Sequence, residues 1–279
     1  MSSSGSRPRR RGPRVDGWTC LTLALLFAVL SPVAWLLMMS LKTEVDALAM
    51  PPRLLFEPTL ANYTGLLEAR FLGPLTNSTV VALTTTLLSL GLGIPAAYVL
   101  SRTRGVTNGL AFWILSTRMA PPIAFAIPFF LVYRTLGWLD TLGGLILVYL
   151  TFNLSLVIWM MRTFFDAIPF SLEEAAYIDG ASTWQALTSI VLPLTGPGIM
   201  ASGMLCFLLA WNDFFYALVL TRSQAMTAPV AIVNFMNYIG WDWGRITAGS
   251  IIVAMPVIAF SLPMRRYLVS GLTAGGVKG

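Results

Sequence analysis

Long apolar runs separated by short polar interruptions set the pattern of this chain. Uncharged intervals run over residues 17–41, 71–101, 141–161, within 180–212 and over 246–264, and a further one, 105–133, is interrupted only by Arg118. Each supplies the roughly 20 apolar residues with which an α-helix crosses about 30 Å of hydrocarbon. Lipid offers no partner to a bare N–H or C=O, so helices that close their own backbone bonds are the natural solution for such runs. The pattern predicts an all-α, polytopic membrane protein with six transmembrane helices. Its transmembrane domain covers 17–270, between a leader of residues 1–16 and a tail of residues 271–279.

Composition agrees: of 279 residues 56% are hydrophobic and 11% charged, with a mean hydropathy of +0.75. The chain has no histidine, which removes the commonest general base and the commonest metal ligand. Cys20 and Cys206 fall inside apolar intervals, where cysteine behaves as a small hydrophobe, so neither a disulfide framework nor a metal site is expected. No Gly-x-x-x-x-Gly-Lys-Ser/Thr phosphate loop occurs, so the chain is not expected to hydrolyse ATP. No enzyme activity and no cofactor are expected.

Lys and Arg set the orientation. Eleven fall in the leader, the second and fourth loops and the C-terminal tail, against six on the other side, which places both termini in the cytoplasm by the positive-inside rule. The Ser/Arg/Pro-rich leader reads as a disordered topology signal rather than a nucleic-acid tract. Cleavage as a signal peptide is not expected, because the 17–41 run is too long for a signal core and ends in Met-Met-Ser-Leu-Lys, without a small-x-small site.

The fourth loop, 162–193, carries the densest local signal. Ser171 followed by Glu174 has the spacing of a capping box, and Glu173 and Glu174 suit the positive end of a helix dipole. Gly180 permits a left-handed turn, Ser182 and Gln185 repeat the capping pattern, and Trp184, Leu187 and Val191 are spaced to share one face. Pro193 is expected to stop or kink the second helix. A helix, a glycine bend and another helix result. Such a loop either packs as an interfacial element on its own bundle or enters a groove on another protein, and the small ridge Ala175-Ala176 beside two glutamates favours the groove.

Glu174-Ala-Ala-Tyr-Ile-Asp-Gly180, followed nine residues on by Ile190-Val-Leu-Pro193, resembles the EAA signature of ABC importer permeases. Leu75-Thr-Asn-Ser78, Ala96-Ala-Tyr98 with Arg102, Ala210-Trp-Asn-Asp213 and the tail from Gly271 to Gly279 are similar to the carbohydrate, maltose-type branch. The resemblance implies a type I importer fold in a bacterial inner membrane. It also implies a second permease subunit of different sequence, two cytoplasmic ATPase subunits and an extracytoplasmic sugar-binding protein. In that reading Glu174, Ala175, Ala176, Asp179 and Gly180 form the coupling helix, with Ile190, Leu192 and Pro193 as its packing end. The lipid bilayer completes the list of partners, and nucleic acid is not among them.

Polar residues inside the spans are the remaining candidates. A charge in the middle of a span is costly and faces the bundle interior or a water-filled cavity, which singles out Arg118. Pro121, Pro122 and Pro128 follow it, so a kinked or broken helix is expected. Arg118 then either serves a sugar path or closes a salt bridge to Asp140 or Asp213. Asn77, Asn153, Trp211 and Asn212 are candidates for the same path, or for interhelical and interfacial anchoring. The loop 213–245 is apolar enough to fold back towards the membrane. An ABC permease for a non-sugar solute remains an alternative, and so does an ion-coupled secondary transporter, although no inverted repeat is evident.

Overall fold

A computed structural model describes residues 17–103, 107–237 and 240–274. The leader, Arg104 and the tail beyond 274, on which much of the orientation argument rests, lie outside the described residues. In chain order the helices are α1 (Gly17–Ser40), α2 (Glu44–Ala47), α3 (Ala61–Glu68), α4 (Leu72–Arg102), α5 (Thr107–Ser116), α6 (Pro122–Leu136) and α7 (Leu142–Asp166). They continue as α8 (Ser171–Ile178), α9 (Thr183–Ala186), a π-helical turn (Leu187–Val191), α10 (Leu192–Leu194), α11 (Gly196–Trp211), α12 (Phe215–Leu220), α13 (Ala228–Val233) and α14 (Trp243–Ala274). A two-stranded ribbon pairs Met236 with Trp241.

Among the described residues four helices, α1, α4, α7 and α14, are long and apolar enough to cross a membrane unbroken. Two of the six expected spans are not single unbroken helices, and one of them is the span expected to kink or break after Arg118. The interval 180–212 becomes a pair of helical segments bent by 79° where Thr195 separates α10 from α11. The interval 105–133 becomes α5 and α6, of 10 and 15 residues, parted at 117–121. Proline explains the second break: Pro121 is extended at ψ 133° and Pro122 opens α6, positions where a missing N–H costs nothing.

The bundle is organised on α4 and α7, which pack together and against α11, and α14 packs in turn on α11. Small residues allow the close approach that substitutes for a hydrophobic driving force in lipid. A Cβ on Gly93 of α4 would lie 2.7 Å from a methyl of Val157 on α7, and one on Gly198 of α11 would lie 2.5 Å from atoms of the Phe164 ring. α1 rests along α14 and leaves most of its apolar surface facing outward, as a helix bathed in lipid does.

At the end of the bundle opposite the 162–193 loop, two features tie the connections down. Lys42 is buried, its ammonium lying 5.6 Å and 5.1 Å from the Trp35 and Phe56 ring centroids, so it is not the solvated loop charge that its position in the sequence suggests. Asp140, with φ at +56°, turns its carboxylate onto the backbone N–H groups of Arg222, Ser223, Gln224 and Ala225 at 2.8–3.2 Å. Burial pushes that carboxyl up, but the four amides outweigh it and hold it down at about 2. The apolar loop 213–245 thereby folds back as α12, α13 and the ribbon against the bundle.

Candidate coupling surface and polar recess

The 162–193 loop builds a mounted helix. Phe170 stands at the N-cap of α8 with no side-chain bond, and Ser171 is already the first helical residue, so the capping box expected from Ser171 and Glu174 does not form. A buried ion pair takes its place. Glu173 is 0% exposed; Tyr98 Oη donates to its Oε2 at 2.5 Å, and Arg102 Nε donates to its Oε1 at 2.7 Å with Nη2 at 2.6 Å. Arg102 Nη1 also donates to the Phe165 carbonyl at 3.1 Å, and the Tyr98 and Phe165 rings meet edge to face at 5.8 Å. The last turns of α4 and α7 and the first turn of α8 are thus one hydrogen-bonded corner.

With Glu173 turned inward, the next residues of the turn face out. Glu174, Ala175, Asp179 and Gly180 are exposed, Ile178 is 86% exposed, and Ala176 packs inward. At Gly180 φ is +86°, and α8 ends in a paired closure, the Ala181 N–H on the Ala176 carbonyl at 2.9 Å and the Gly180 N–H on the Tyr177 carbonyl at 3.1 Å. This is the glycine-dependent helix stop that the sequence suggested. The second capping box does form: Gln185 N donates to Ser182 Oγ at 3.3 Å and Ser182 N donates to Gln185 Oε1 at 2.8 Å.

Trp184 does not share a face with Leu187 and Val191. Those two are buried, whereas Trp184 is 64% exposed, because it sits on a first turn that projects beyond the bundle and the wide π turn that follows shifts the register. Leu192 packs into the core cluster of α4 and α7, Ile190 is half-buried and Pro193 is exposed. Pro193 lies inside α10 without ending it, and the bend falls two residues later.

A second polar site lies in the bundle. The break at 117–121 delivers Arg118 to a recess of about 220 Å³, lined also by Asn153, Tyr149 and Phe152 of α7 and by Asp213 and Tyr216 at the α11–α12 junction. Arg118 Nη1 donates to the Phe152 carbonyl at 3.3 Å. Asp213 Oδ1 accepts from Tyr149 Oη at 2.8 Å and from the N–H groups of Tyr216 and Ala217 at 3.1 and 3.3 Å. Among the described residues no carboxylate lies within 4.0 Å of the Arg118 guanidinium, so neither expected salt bridge forms. Asp140 is committed to the 222–225 amides, and Asp213 is held on its own junction.

The other path candidates divide. Asn153 reaches the recess and Asn212 lines an adjoining cavity while donating to Leu208 of its own helix at 2.9 Å. Asn77 spends its amide on the carbonyls of Gln224 and Met226, at 2.8 and 3.0 Å, as a loop anchor. Trp211 is 1% exposed, donates to the Val253 carbonyl at 3.0 Å and stacks on Phe207, which makes it a strut between α11 and α14. Sequence reasoning missed the inward role of Glu173 and gave no role to Tyr149. The only available signals were a doubled glutamate on a short helix and a tyrosine within an apolar run.

Relatives place this architecture. Residues 89–269 match the family of binding-protein-dependent transport system inner membrane components. A probable ABC transporter permease protein, y4oR, of Sinorhizobium fredii is 39% identical over 279 residues, covering 100% of this chain and 99% of that protein. The trehalose transport system permease protein SugB of Mycobacterium tuberculosis is 38% identical, covering 95% of this chain and 98% of its own length. Among solved structures, a chain of a bacterial ABC transporter that imports the acidic polysaccharide alginate superposes with a TM-score of 0.72 at 25% identity, over 92% of this chain and 99% of that one. The exposed α8 on its buried mount and the polar recess beneath therefore belong to a multi-pass transport protein and not to an enzyme, and this chain is a member of the binding-protein-dependent transport system inner membrane component family, the permeases of ABC importers.

Proposed function

We propose that this chain is one permease subunit of an ATP-driven importer of sugars or polyols. It works with a second, different permease chain, two cytoplasmic ATPase subunits and an extracytoplasmic binding protein, with both termini and the 162–193 loop on the cytoplasmic side. The observation that carries the reading is α8, whose outer face of Glu174, Ala175 and Ile178 is free while its inner face is locked to α4 and α7 through Glu173. A helix mounted in this way transmits a push. Displacing α8 displaces the ends of α4 and α7, and α7 carries Tyr149 and Asn153 into the recess. The sugar class is supported by the trehalose, trehalose/maltose and diacetylchitobiose permeases among the relatives.

The test is reconstitution. Purified alone, the chain shows no ATPase activity and no transport, whereas the assembly with its partners shows both. Gly180→Leu puts a side chain on a backbone at φ +86° and is expected to abolish uptake and weaken ATPase association while the subunit still inserts. Normal uptake at normal expression sinks the coupling role. Membrane-impermeant thiol reagents should label Ile178→Cys from the cytoplasmic side only and Trp241→Cys from outside only. Labelling of Ile178→Cys from outside contradicts the orientation.

A further inference from the structure

We propose that the recess at the α5–α6 break is a subsite selective for an uncharged polyhydroxylated solute, in which Asp213 and Arg118 meet the solute's hydroxyls and Tyr149 positions Asp213. The assignment rests on the importer reading above. It starts from what each polar group has left to give. Asp213 takes all its hydrogen bonds on Oδ1, and among the described residues Oδ2 accepts none. Arg118 spends one bond on the Phe152 carbonyl, which leaves most of its five donors free. Asn153 is 4% exposed and lines the cavity, yet its amide makes no hydrogen bond among the described residues.

An acceptor, a donor fork and an amide that does both therefore converge on one space. These groups open onto the recess rather than lying buried out of reach, and a few polar groups converging on a mostly apolar pocket mark a binding place. Its charges choose the ligand. Among the described residues Arg118 and Asp213 are the only charged ones lining the recess, so their charges cancel. An anionic solute meets the Asp213 carboxylate and a cationic one the Arg118 guanidinium, and like-charge juxtaposition is the standard device of discrimination. A hydroxyl both donates and accepts, so vicinal hydroxyls fit the set. Phe152 and Tyr216, stacked at 5.1 Å, supply an apolar wall for the C–H face of a ring. The volume, about 220 Å³, is below the roughly 300–1,000 Å³ usual for small-molecule sites and suits one ring or a short polyol chain. A zwitterion also balances the two charges, and the test separates it.

The experiment uses the complete reconstituted importer and a panel of neutral disaccharides and hexitols, uronates, sugar phosphates and betaines. Wild type is expected to import neutral members only. Asp213→Asn should raise the apparent KM for the neutral solute about tenfold and, by leaving Arg118 uncompensated, should admit uronates that wild type rejects. Tyr149→Phe should raise KM about threefold without admitting uronates. If Asp213→Asn fails to assemble, Asn153→Ala decides, with an expected loss in KM of five- to tenfold at unchanged assembly. Sugar import by wild type with unchanged KM in the assembled Asp213→Asn or Asn153→Ala variant overturns the subsite and leaves the importer reading intact. Preferential import of betaines, or of none of the panel, overturns both.

Discussion

Two arginine–carboxylate sets in this chain use the same chemistry in opposite ways. At the α4–α7–α8 corner, Arg102 and Glu173 close on each other at 2.6–2.7 Å, and Tyr98 completes the carboxylate's shell. In the recess, Arg118 and Asp213 share a cavity wall without pairing. The backbone makes the difference. Glu173 and Arg102 sit on regular helical turns that packing brings face to face. Arg118 and Asp213 sit at helix breaks, Arg118 bonded to the Phe152 carbonyl within α7 and Asp213 to the N–H groups of Tyr216 and Ala217 at the start of α12, so part of each side chain's capacity is taken up apart from the other. A charge closed on its partner fixes two elements together. A charge left open in a recess remains available to a solute.

Breaking the closed pair is expected to give the largest effect. Removing one member of a buried ion pair strands the other, so Glu173→Ala should lower stability by about 3 kcal/mol. Thermal melting of the detergent-solubilised subunit measures this, and uptake by the assembled importer should be lost with it. Glu173→Gln keeps an acceptor for Tyr98 and should fall between. A Glu173→Ala variant that melts as wild type does would show that the corner is not a mount.

The open pair should behave in the reverse sense. Arg118→Gln breaks no ion pair, because Asp213 keeps its bonds from Tyr149 and two backbone N–H groups, so the melting midpoint should move little, by about 0.5 kcal/mol. Apparent affinity for a neutral sugar should weaken about tenfold, equivalent to about 1.4 kcal/mol. A stability loss as large as that of Glu173→Ala would mean that Arg118 is paired after all, and the contrast between the two sites would collapse.

The smallest expected effect sharpens the comparison with a third carboxylate, one closed on backbone rather than on a cation. The Asp140 carboxyl is held at about 2, below the ordinary carboxylate value of about 3.9. A depressed folded value means that the ionised form favours folding. This contribution is complete above pH 4 and is lost as pH falls towards 2. Asp140→Asn should therefore melt slightly below wild type at pH 7, with the gap closing on acidification through that window. A gap that widens on acidification would show that the latch on 222–225 does not depend on the charge.

Hydropathy along the chain was enough to establish an all-α membrane protein, because a run such as 142–166 has no stable alternative in lipid. Local chemistry was enough for the bend at Gly180 and the box at Ser182–Gln185, since each depends on residues within a few positions of one another. Local chemistry also pointed to a box at Ser171 that the tertiary structure refuses. The carboxylate that matters there is Glu173, and its partner lies 71 positions away on α4. No spacing rule reaches that far. Arg118 stood out in the sequence as a charge in a span, but whether it is paired depends on where Phe152 of α7 and Asp213 of the α11–α12 junction arrive. The same holds for Asn77 and Trp211, plausible sugar contacts by residue type that packing turned into anchors. Short-range propensity and solvent partition are written along the chain, whereas the closure or openness of a charge is a property of distances between helices, and only the packed bundle decides those.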